Sequence, residues 1–375
     1  MDSHECRACR ARTGEVVLDL GRQPAADYFP KCDEPGPDPV YPLQMWLCLS
    51  CGLCQLLTDP TVPEEPRGAE PAALVMQAAD AVARVAAAGL LPAGARVAEY
   101  GSPHGGSWLD LVTERGLTPV ADGAEADVII DCFGMMHAAD QKAAIAERAS
   151  RLAPGGTLLL QYHSVATIVT QGQWNALRHG HYAYYSTTAL TAMLAAAGLR
   201  ARTAWQFSLY GGTVLLAVGR VTDATGTDET VQSLLAADVV SGVTKAEVVR
   251  GLQREVSARA SALRAWLSAQ RDAGNLVLGY AAASRAVALL RAADVDSDLL
   301  PAVADASPGK LGLRMPGTAI PVITPAELVA RRPRAVLIFV SDLIPEVRKT
   351  YPEIEAAEGT WVDADSLGAG PATNG

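Results

Sequence analysis

Apolar and polar positions along the chain predict strands that alternate with helices. Residues 97–100 and 127–131 are short apolar segments, and each predicts a buried strand. Residues 139–152 have the spacing of an amphipathic helix, and LAPGGTLLLQYH at 152–163 predicts a Pro-Gly-Gly turn that leads into a third strand. This order of elements is typical of an α/β protein with a parallel sheet.

The turn after the first predicted strand has a composition suited to ligand binding. It lies in RVAEYGSPHGGSW at 96–108, with glycines at positions 101, 105 and 106. Glycine permits a tight turn and lets a ligand approach the main chain, and α/β sheets bind ligands at the carboxyl ends of their strands. The spacing ExGxxxG differs from the dinucleotide motif GxGxxG, and the Lys-Ser/Thr pair of a phosphate loop is missing.

This turn resembles motif I of S-adenosylmethionine (SAM) methyltransferases, and residues 152–163 resemble a later strand of the class I enzymes. The resemblance implies SAM as the cofactor and a class I, Rossmann-like fold; a strand–turn–helix without a ligand is the alternative. The candidate SAM-binding residues are Glu99, Tyr100, Gly101, Gly105, Asp122, Cys132 and His137.

One interval of this domain is too short for a complete methyltransferase sheet. Residues 117–122 predict strand two, and only residues 123–126 separate it from the strand at 127–131. A complete sheet has a further helix and strand there, which so short a connection cannot supply. The sequence therefore predicts a trimmed sheet. Asp122 would be the acidic residue that ends strand two and binds the SAM ribose. An equal alternative is that Asp122 is a solvated aspartate in a turn.

Two CxxC pairs near the N-terminus predict a metal site. Cys6, Cys9, Cys48 and Cys51 offer the four thiolates that tetrahedral zinc prefers, and four protein ligands leave no open position for chemistry. The predicted zinc is therefore structural. Cys54 lies close enough to Cys51 to replace it as a ligand.

Residues 173–190, QWNALRHGHYAYYSTTAL, form a dense cluster of histidines and tyrosines. Histidine titrates near neutral pH and is the usual proton carrier, and the end of the strand at 152–163 is expected to face the same cavity. Buried structural groups are the alternative interpretation of these side chains. The candidate catalytic residues are His179, His181, His163, Tyr184, Tyr162 and Arg178.

The sequence as a whole predicts four regions. Residues 1–60 form the zinc-binding domain, and a proline-rich acidic segment at 60–71 links it to the SAM domain at 72–220. A long amphipathic helix at 244–271 lies in a helical bridge over 221–275. Residues 276–362 form a second Rossmann-like domain, whose GYAAAS turn lacks the glycines of an NAD site. Residues 363–375 are expected to be a frayed tail.

Composition narrows the possible partners. Of the 375 residues 49% are hydrophobic, yet no apolar run approaches the ~20 residues of a membrane span, and the N-terminus lacks a signal-peptide core. A net charge of −10 argues against nucleic acid, which requires a basic face. We expect a cytoplasmic protein with a small-molecule acceptor, either a monomer or a homodimer.

From position 6 to about 361 the chain resembles the zinc-containing nucleotide-deoxysugar C-methyltransferases. The resemblance is carried by CRAC, LDLGRQPAADYF, CLSCGLCQL, EYGSPHGG, the HxH cluster that ends in YYS, and DASPGKLGLRMPGTAIPVITP. It implies a zinc domain, a central SAM domain and a C-terminal Rossmann-like domain. It also implies methyl transfer to carbon 3 of a 4-keto sugar held on a nucleotide.

The chain departs from that family in its acceptor residues. The family's Tyr-His-Glu-His stretch is Arg178-His179-Gly180-His181 here, and its Trp-Asn pair near the C-terminus is Ser341-Asp342. The tyrosine thought to act as base is therefore missing, and deprotonation of a carbon beside a ketone requires a positioned base.

An indole needs no such base, because its C3 is already nucleophilic. Within the family, the chain resembles the enzymes that methylate C3 of an indole in physostigmine-type alkaloid biosynthesis, where pyrroloindoline closure follows. The first hypothesis is therefore a SAM-dependent C-methyltransferase with an indole (tryptamine-type) acceptor. The alternatives are a nucleotide-deoxysugar C-methyltransferase and a non-catalytic binding protein on the same scaffold.

Overall fold

Three β-sheets organise the chain, one for each predicted α/β or zinc-binding region. The computed structural model describes residues 4–34, 36–61, 71–101 and 106–368. Gly105 and residues 62–70 of the predicted linker lie outside the described residues.

The N-terminal sheet is antiparallel and has four strands. Its first three are β1 (Gly14–Pro24), β2 (Val40–Cys48) and β3 (Cys54–Leu56). The fourth, Ala183–Tyr184, comes from much later in the chain and pairs with β3. The zinc-binding region therefore shares a sheet with the histidine–tyrosine segment.

The central sheet has six strands. Their order is β5 (Thr118–Pro119), β4 (Arg96–Tyr100), β6 (Ala126–Cys132), β7 (Leu152–His163), β10 (Thr213–Arg220) and β9 (Leu199–Phe207). Strands β5, β4, β6 and β7 run parallel to one another, and β10 is antiparallel to its neighbours β7 and β9. The elements of this region are α1 (Ala72–Ala87), β4 (Arg96–Tyr100), α2 (Leu109–Thr113), β5 (Thr118–Pro119), β6 (Ala126–Cys132), α3 (Gln141–Arg151), β7 (Leu152–His163), α4 (Val165–Thr170), β8 (Ala183–Tyr184), α5 (Thr187–Ala196), β9 (Leu199–Phe207) and β10 (Thr213–Arg220).

The trimmed sheet predicted from the sequence is confirmed. β5 pairs only with β4 and ends the described sheet on that side. It contains two residues, fewer than predicted. The N–H groups of Thr118 and Val120 donate to carbonyl oxygens in or next to β4, so Pro119, which has no N–H, lies at a position where the sheet edge needs no donor. β7 begins directly after α3, so the Pro-Gly-Gly turn lies within the strand.

A buried ion pair supports the carboxyl end of β6. Arg148 Nε donates to Asp131 Oδ2 at 2.5 Å, and both side chains are almost fully buried. The other oxygen of Asp131 accepts from the Met135 backbone N–H at 2.9 Å. These bonds orient the short 3₁₀ turn Met135–His137, which carries His137 to the edge of the sheet.

Three helices bridge the second and third sheets: α6 (Glu229–Ser241), α7 (Ala246–Val249) and α8 (Gly251–Asp272). The prediction of a single helix over 244–271 is wrong, because the structure has two helices there, separated at Arg250. Gly251 follows the break, and glycine destabilises a helix interior. None of the helices in the described ranges is long and apolar enough to cross a membrane.

The C-terminal sheet is parallel and has five strands. Their order is β13 (Val322–Ile323), β12 (Val303–Ala304), β11 (Val277–Tyr280), β14 (Ala335–Ile338) and β15 (Thr360–Asp363). Its elements are β11 (Val277–Tyr280), α9 (Ser284–Ala292), β12 (Val303–Ala304), β13 (Val322–Ile323), α10 (Pro325–Ala330), β14 (Ala335–Ile338), α11 (Ile344–Thr350), α12 (Glu353–Ala356) and β15 (Thr360–Asp363). The predicted tail is wrong for residues 363–368: Ala364 is buried there, and Asp365 lies 3.7 Å from Arg259.

Candidate functional site

The four predicted metal ligands come together in the N-terminal domain. The sulfur atoms of Cys6, Cys9, Cys48 and Cys51 all lie within 4.8 Å of one another. The Sγ atoms of Cys6 and Cys51 are 3.6 Å apart, as are those of Cys9 and Cys48. A tetrahedron with Zn–S bonds of about 2.3 Å has edges of about 3.8 Å, so the cluster fits one zinc ion.

Cys54 does not belong to this cluster. It lies on β3, fully buried in an apolar core, and burial raises the pKa of its thiol to about 12. Its sulfur atom is not among the four that lie within 4.8 Å of one another. Within the described residues, the two CxxC pairs therefore form a complete four-thiolate set without it.

A cavity of about 230 Å³ lies where the central and C-terminal sheets meet. Trp108 and Cys132 line it from the carboxyl ends of the central strands, where an α/β sheet binds its ligands. Arg178 and His181 line it from the histidine–tyrosine segment, and Ser284 lines it from the start of α9. The cavity is therefore the candidate active site.

Several predicted SAM-binding residues shape the turn beside this cavity. Glu99, at the end of β4, accepts hydrogen bonds of 2.6 Å from Ser107 Oγ and from the Trp108 backbone N–H. Its carboxylate thus fixes the entry into α2. Among the residues that the structure describes, none apart from its chain neighbours has an atom within 4 Å of a Cβ added at Gly101, which leaves space for a ligand on that side. These features fit SAM, which the turn and Cys132 would hold.

Other members of the predicted SAM set lie further from the cavity. The Tyr100 hydroxyl bonds to Glu147 at 3.1 Å and to Arg151 at 2.9 Å, and its ring lies 3.8 Å from the Arg148 guanidinium carbon. Tyr100 therefore packs against α3. Asp122 is exposed in the turn after β5. Their roles as SAM ligands stay predictions, and Gly105 lies outside the described residues.

His137 and His181 are neighbours on the cavity wall. Their ring centroids are 4.6 Å apart, and His137 Nδ1 lies 3.0 Å from the Gly180 carbonyl oxygen. Arg178 Nε donates to His181 Nε2 at 2.8 Å and another Arg178 nitrogen donates to Ser284 Oγ. Because a guanidinium only donates, His181 accepts at Nε2, and its neutral form carries the proton at Nδ1.

His163 ends β7 and lines the same cavity. Burial, together with the positive charge of Arg285, lowers the pKa of His163 to about 3. The imidazole is therefore neutral at physiological pH. Its Nε2 is buried and has no hydrogen bond of acceptable geometry among the described residues, while the Gln173 side chain and the Tyr210 backbone lie close enough to interact with the ring.

We expect the low pKa of His163 to make folding acid-sensitive. At pH 8 the side chain is neutral in both states. Below about 6.5 the unfolded state binds a proton that the folded state excludes down to about pH 3, so stability falls with pH in that window. The wild type should therefore lose about 2–4 °C more in Tm between pH 8 and pH 5 than His163→Gln. Equal losses in thermal unfolding scans would contradict this expectation.

The other predicted catalytic residues separate into cavity and non-cavity positions. Tyr184 lines the cavity, but its hydroxyl accepts from Arg178 N at 3.1 Å and lies 3.3 Å from Ala176 O. Tyr162 points away, because neighbouring strand residues face opposite sides, and its hydroxyl bonds to Thr187 at 2.8 Å. His179 packs against the N-terminal domain, with Nε2 3.1 Å from Pro42 O.

Sequence reasoning missed the residues that complete the cavity wall: Phe133, Gln161, Tyr210, Ser284, Arg285 and Lys310. Ser284 and Arg285 begin the helix after β11, at the carboxyl end of a parallel sheet. The rule applied to Glu99 could therefore have found them. Tyr210 lies in a short turn between antiparallel strands, where no comparable signal exists.

A six-stranded sheet of this order, with a cavity at the carboxyl ends of its parallel strands, has the architecture of a Rossmann-like methyltransferase domain. Family models match the chain in three parts: a zinc binding domain over residues 6–65, a methyltransferase domain over 75–204 and a C-methyltransferase C-terminal domain over 208–364. The chain belongs to the zinc-containing C-methyltransferase family, as the sequence predicted.

Known proteins are similar to this chain at low identity, and the chain spans less than two thirds of the curated relative that it matches. C-methyltransferase NovU of Streptomyces niveus is 21% identical over 253 residues, which cover 68% of this chain and 58% of NovU. Magnesium protoporphyrin IX methyltransferase of Synechocystis, with bound S-adenosylhomocysteine (SAH), covers 39% of this chain and 84% of its own, at 16% identity and a TM-score of 0.30. N-methyltransferase NodS of Bradyrhizobium japonicum covers 40% of this chain and 88% of its own, at 14% identity and a TM-score of 0.30.

Proposed function

We propose that the chain transfers the methyl group of SAM to a nucleophilic carbon of a small molecule, and that C3 of a tryptamine-type indole is that carbon. The observation that carries this choice is the weakness of the available bases. His163 has a pKa of about 3, and the Nε2 lone pair of His181 accepts from Arg178. Abstraction of a proton beside a ketone requires a stronger base than these groups.

The indole reaction makes smaller demands on the protein. SAM supplies a methyl group on a positively charged sulfur. As the C3–methyl bond forms, the sulfur–methyl bond breaks, and the positive charge passes to the indole nitrogen. The cavity has to hold the ring in line with the donor, which accounts for much of the rate in such displacements. His163, which lines the cavity, would accept a hydrogen bond from an N–H of the acceptor.

Ring closure would follow at the adjacent carbon. The side-chain nitrogen attacks C2, which neutralises the ring cation and gives a pyrroloindoline, and the proton of that nitrogen is released. The attacking amide N–H becomes strongly acidic as its nitrogen bonds to C2. A weak base therefore suffices for this step, and the neutral His163 imidazole is one that the cavity offers.

The second candidate is methylation of a nucleotide-linked 4-keto-deoxysugar, and the charges of the cavity favour it. Arg285 and Lys310 line the wall formed by the C-terminal domain, whereas the described lining residues include no aspartate or glutamate. Positive charge of this kind suits a diphosphate. The similarity to NovU is compatible with a C-methyltransferase of either acceptor class.

Incubation with SAM separates the two candidates. We expect N-acetyltryptamine to gain one methyl group by mass spectrometry and to give SAH in equal amount, whereas a thymidine-diphosphate 4-keto-deoxysugar gains none. Calorimetric titration with SAH is the control for a competent donor site. Methylation of the sugar alone would refute the indole assignment, and SAH binding without transfer to either compound would leave the non-catalytic alternative in its place.

A further inference from the structure

Two aromatic residues of the cavity have a backbone conformation that bulky side chains rarely adopt. Phe133 has φ of 60° and Tyr210 has φ of 56°. The left-handed region disfavours residues with a Cβ and favours glycine, at a cost of about 1–2 kcal/mol for others. Such strain concentrates at binding sites, where the surrounding structure holds a side chain in a required direction.

Neighbouring strands hold Phe133 in this conformation. It follows β6 directly, and its backbone N–H donates to the Gln161 carbonyl of β7 at 3.2 Å. The β6–β7 ladder therefore extends one residue beyond the strand and fixes where the ring points. The ring lines the cavity immediately after Cys132, on the side where SAM would bind.

The C-terminal domain holds Tyr210. This residue lies in the turn between β9 and β10, and its backbone N–H donates to Asp342 Oδ2 at 2.9 Å. The guanidinium carbon of Arg285 lies 5.7 Å from the centre of its ring, within cation–π range. Two contacts from the C-terminal domain thus fix Tyr210, which lies at the edge of the central sheet between β9 and β10.

The two rings meet in the cavity. Their centroids are 5.8 Å apart with an angle of 64° between planes, and the His163 ring lies 6.1 Å from that of Tyr210. Edge-to-face geometry of this kind is favourable for aromatic groups, and a further flat ring can join it. A glycine would adopt either backbone at lower cost, so the turns themselves do not require aromatic side chains.

We propose that Phe133 and Tyr210 form an aromatic clamp that binds the planar ring of the acceptor beside the methyl donor. This inference rests on the proposed function, because it gives the acceptor a flat aromatic ring. It assigns recognition to two residues outside the histidine–tyrosine segment. Asp342 acts as a positioning residue through the backbone of Tyr210.

Calorimetry on four variants tests the clamp. The dissociation constant of N-acetyltryptamine is measured in the presence of SAH, and that of SAH is measured alone. Phe133→Leu and Tyr210→Leu should each weaken N-acetyltryptamine binding by about 10-fold. Tyr210→Phe keeps the ring and should stay within about 2-fold. The control variant Tyr351→Leu should also stay within about 2-fold of the wild-type affinity, because it disrupts an aromatic pair with Tyr280 that lies away from the cavity.

The SAH measurement shows that each variant is folded and separates the possible failures. Unchanged N-acetyltryptamine binding in both leucine variants would overturn the clamp, as would an equal loss of SAH and acceptor affinity. Weakened binding in both variants, with no methyl transfer by the wild type, would support the clamp and refute the proposed function. A wild type that binds SAH but no N-acetyltryptamine would overturn both.

Discussion

Removal of zinc is expected to unfold the N-terminal sheet and to abolish methyl transfer. Structural zinc sites contribute about 10–16 kcal/mol to the folding of small domains, because the ligands converge only in the folded state. Here Cys48 ends β2, and Cys51 lies in the turn that leads to β3. Without the ion, this turn and the strands on either side of it lose their main constraint.

The loss should reach the active site through β8. Cys54 on β3 pairs with Tyr184 on β8, and Tyr184 lines the cavity and bonds to the backbone of Arg178. His179 also bonds to Pro42 in β2. A structural zinc ion therefore supports the wall that carries His181, although it takes no part in the chemistry.

Cys51→Ser and Cys32→Ser test this coupling. Cys32 is exposed and outside the four-thiolate cluster, so its replacement is the matched control. We expect Cys51→Ser to lose bound zinc by mass spectrometry, the part of its near-UV circular dichroism that comes from the N-terminal sheet, and more than about 90% of its turnover, while Cys32→Ser keeps all three. A metal-free Cys51→Ser protein with wild-type turnover would show that the zinc domain is independent of the cavity.

The elements that the sequence predicts well are those with a strong local pattern. β4, β6 and β7 each have consecutive buried apolar residues at their centres, and two CxxC pairs have few interpretations other than a metal site. β8 has two residues and pairs with β3 far away in the chain. No local periodicity encodes such a contact, so the link between the zinc domain and the cavity appears only in the folded structure.

Within the candidate site, residue type was predictable but direction was not. His163 and Tyr162 are adjacent on β7, and strand geometry sends only one of them into the cavity. Arg285 and Tyr210 enter from segments far from the motifs, because the cavity lies between two domains. The sequence therefore identifies the cavity residues that follow the central strands and lie in the histidine–tyrosine segment, and misses those of the C-terminal domain.

Replacement of His181 by alanine is expected to lower kcat by about 100-fold, while SAH affinity stays within about 2-fold. The His181 ring packs against His137 and accepts from Arg178 Nε, so its loss frees both groups on the cavity wall. Misplacement of groups that align an acceptor by about 1 Å costs about 100-fold in rate. His181 is not among the predicted SAM-binding residues, so we expect donor binding to survive.

His179→Ala is the matched control for this variant. The sequence predicts the same role for both histidines, which are two positions apart, but His179 contacts Pro42 and Tyr41 of the N-terminal domain instead of the cavity. Its replacement should lower Tm and leave kcat within about 3-fold. His181→Gln should recover part of the lost rate, because a glutamine oxygen can accept from Arg178. Equal loss of kcat in the two alanine variants would mean that the segment acts as one structural unit.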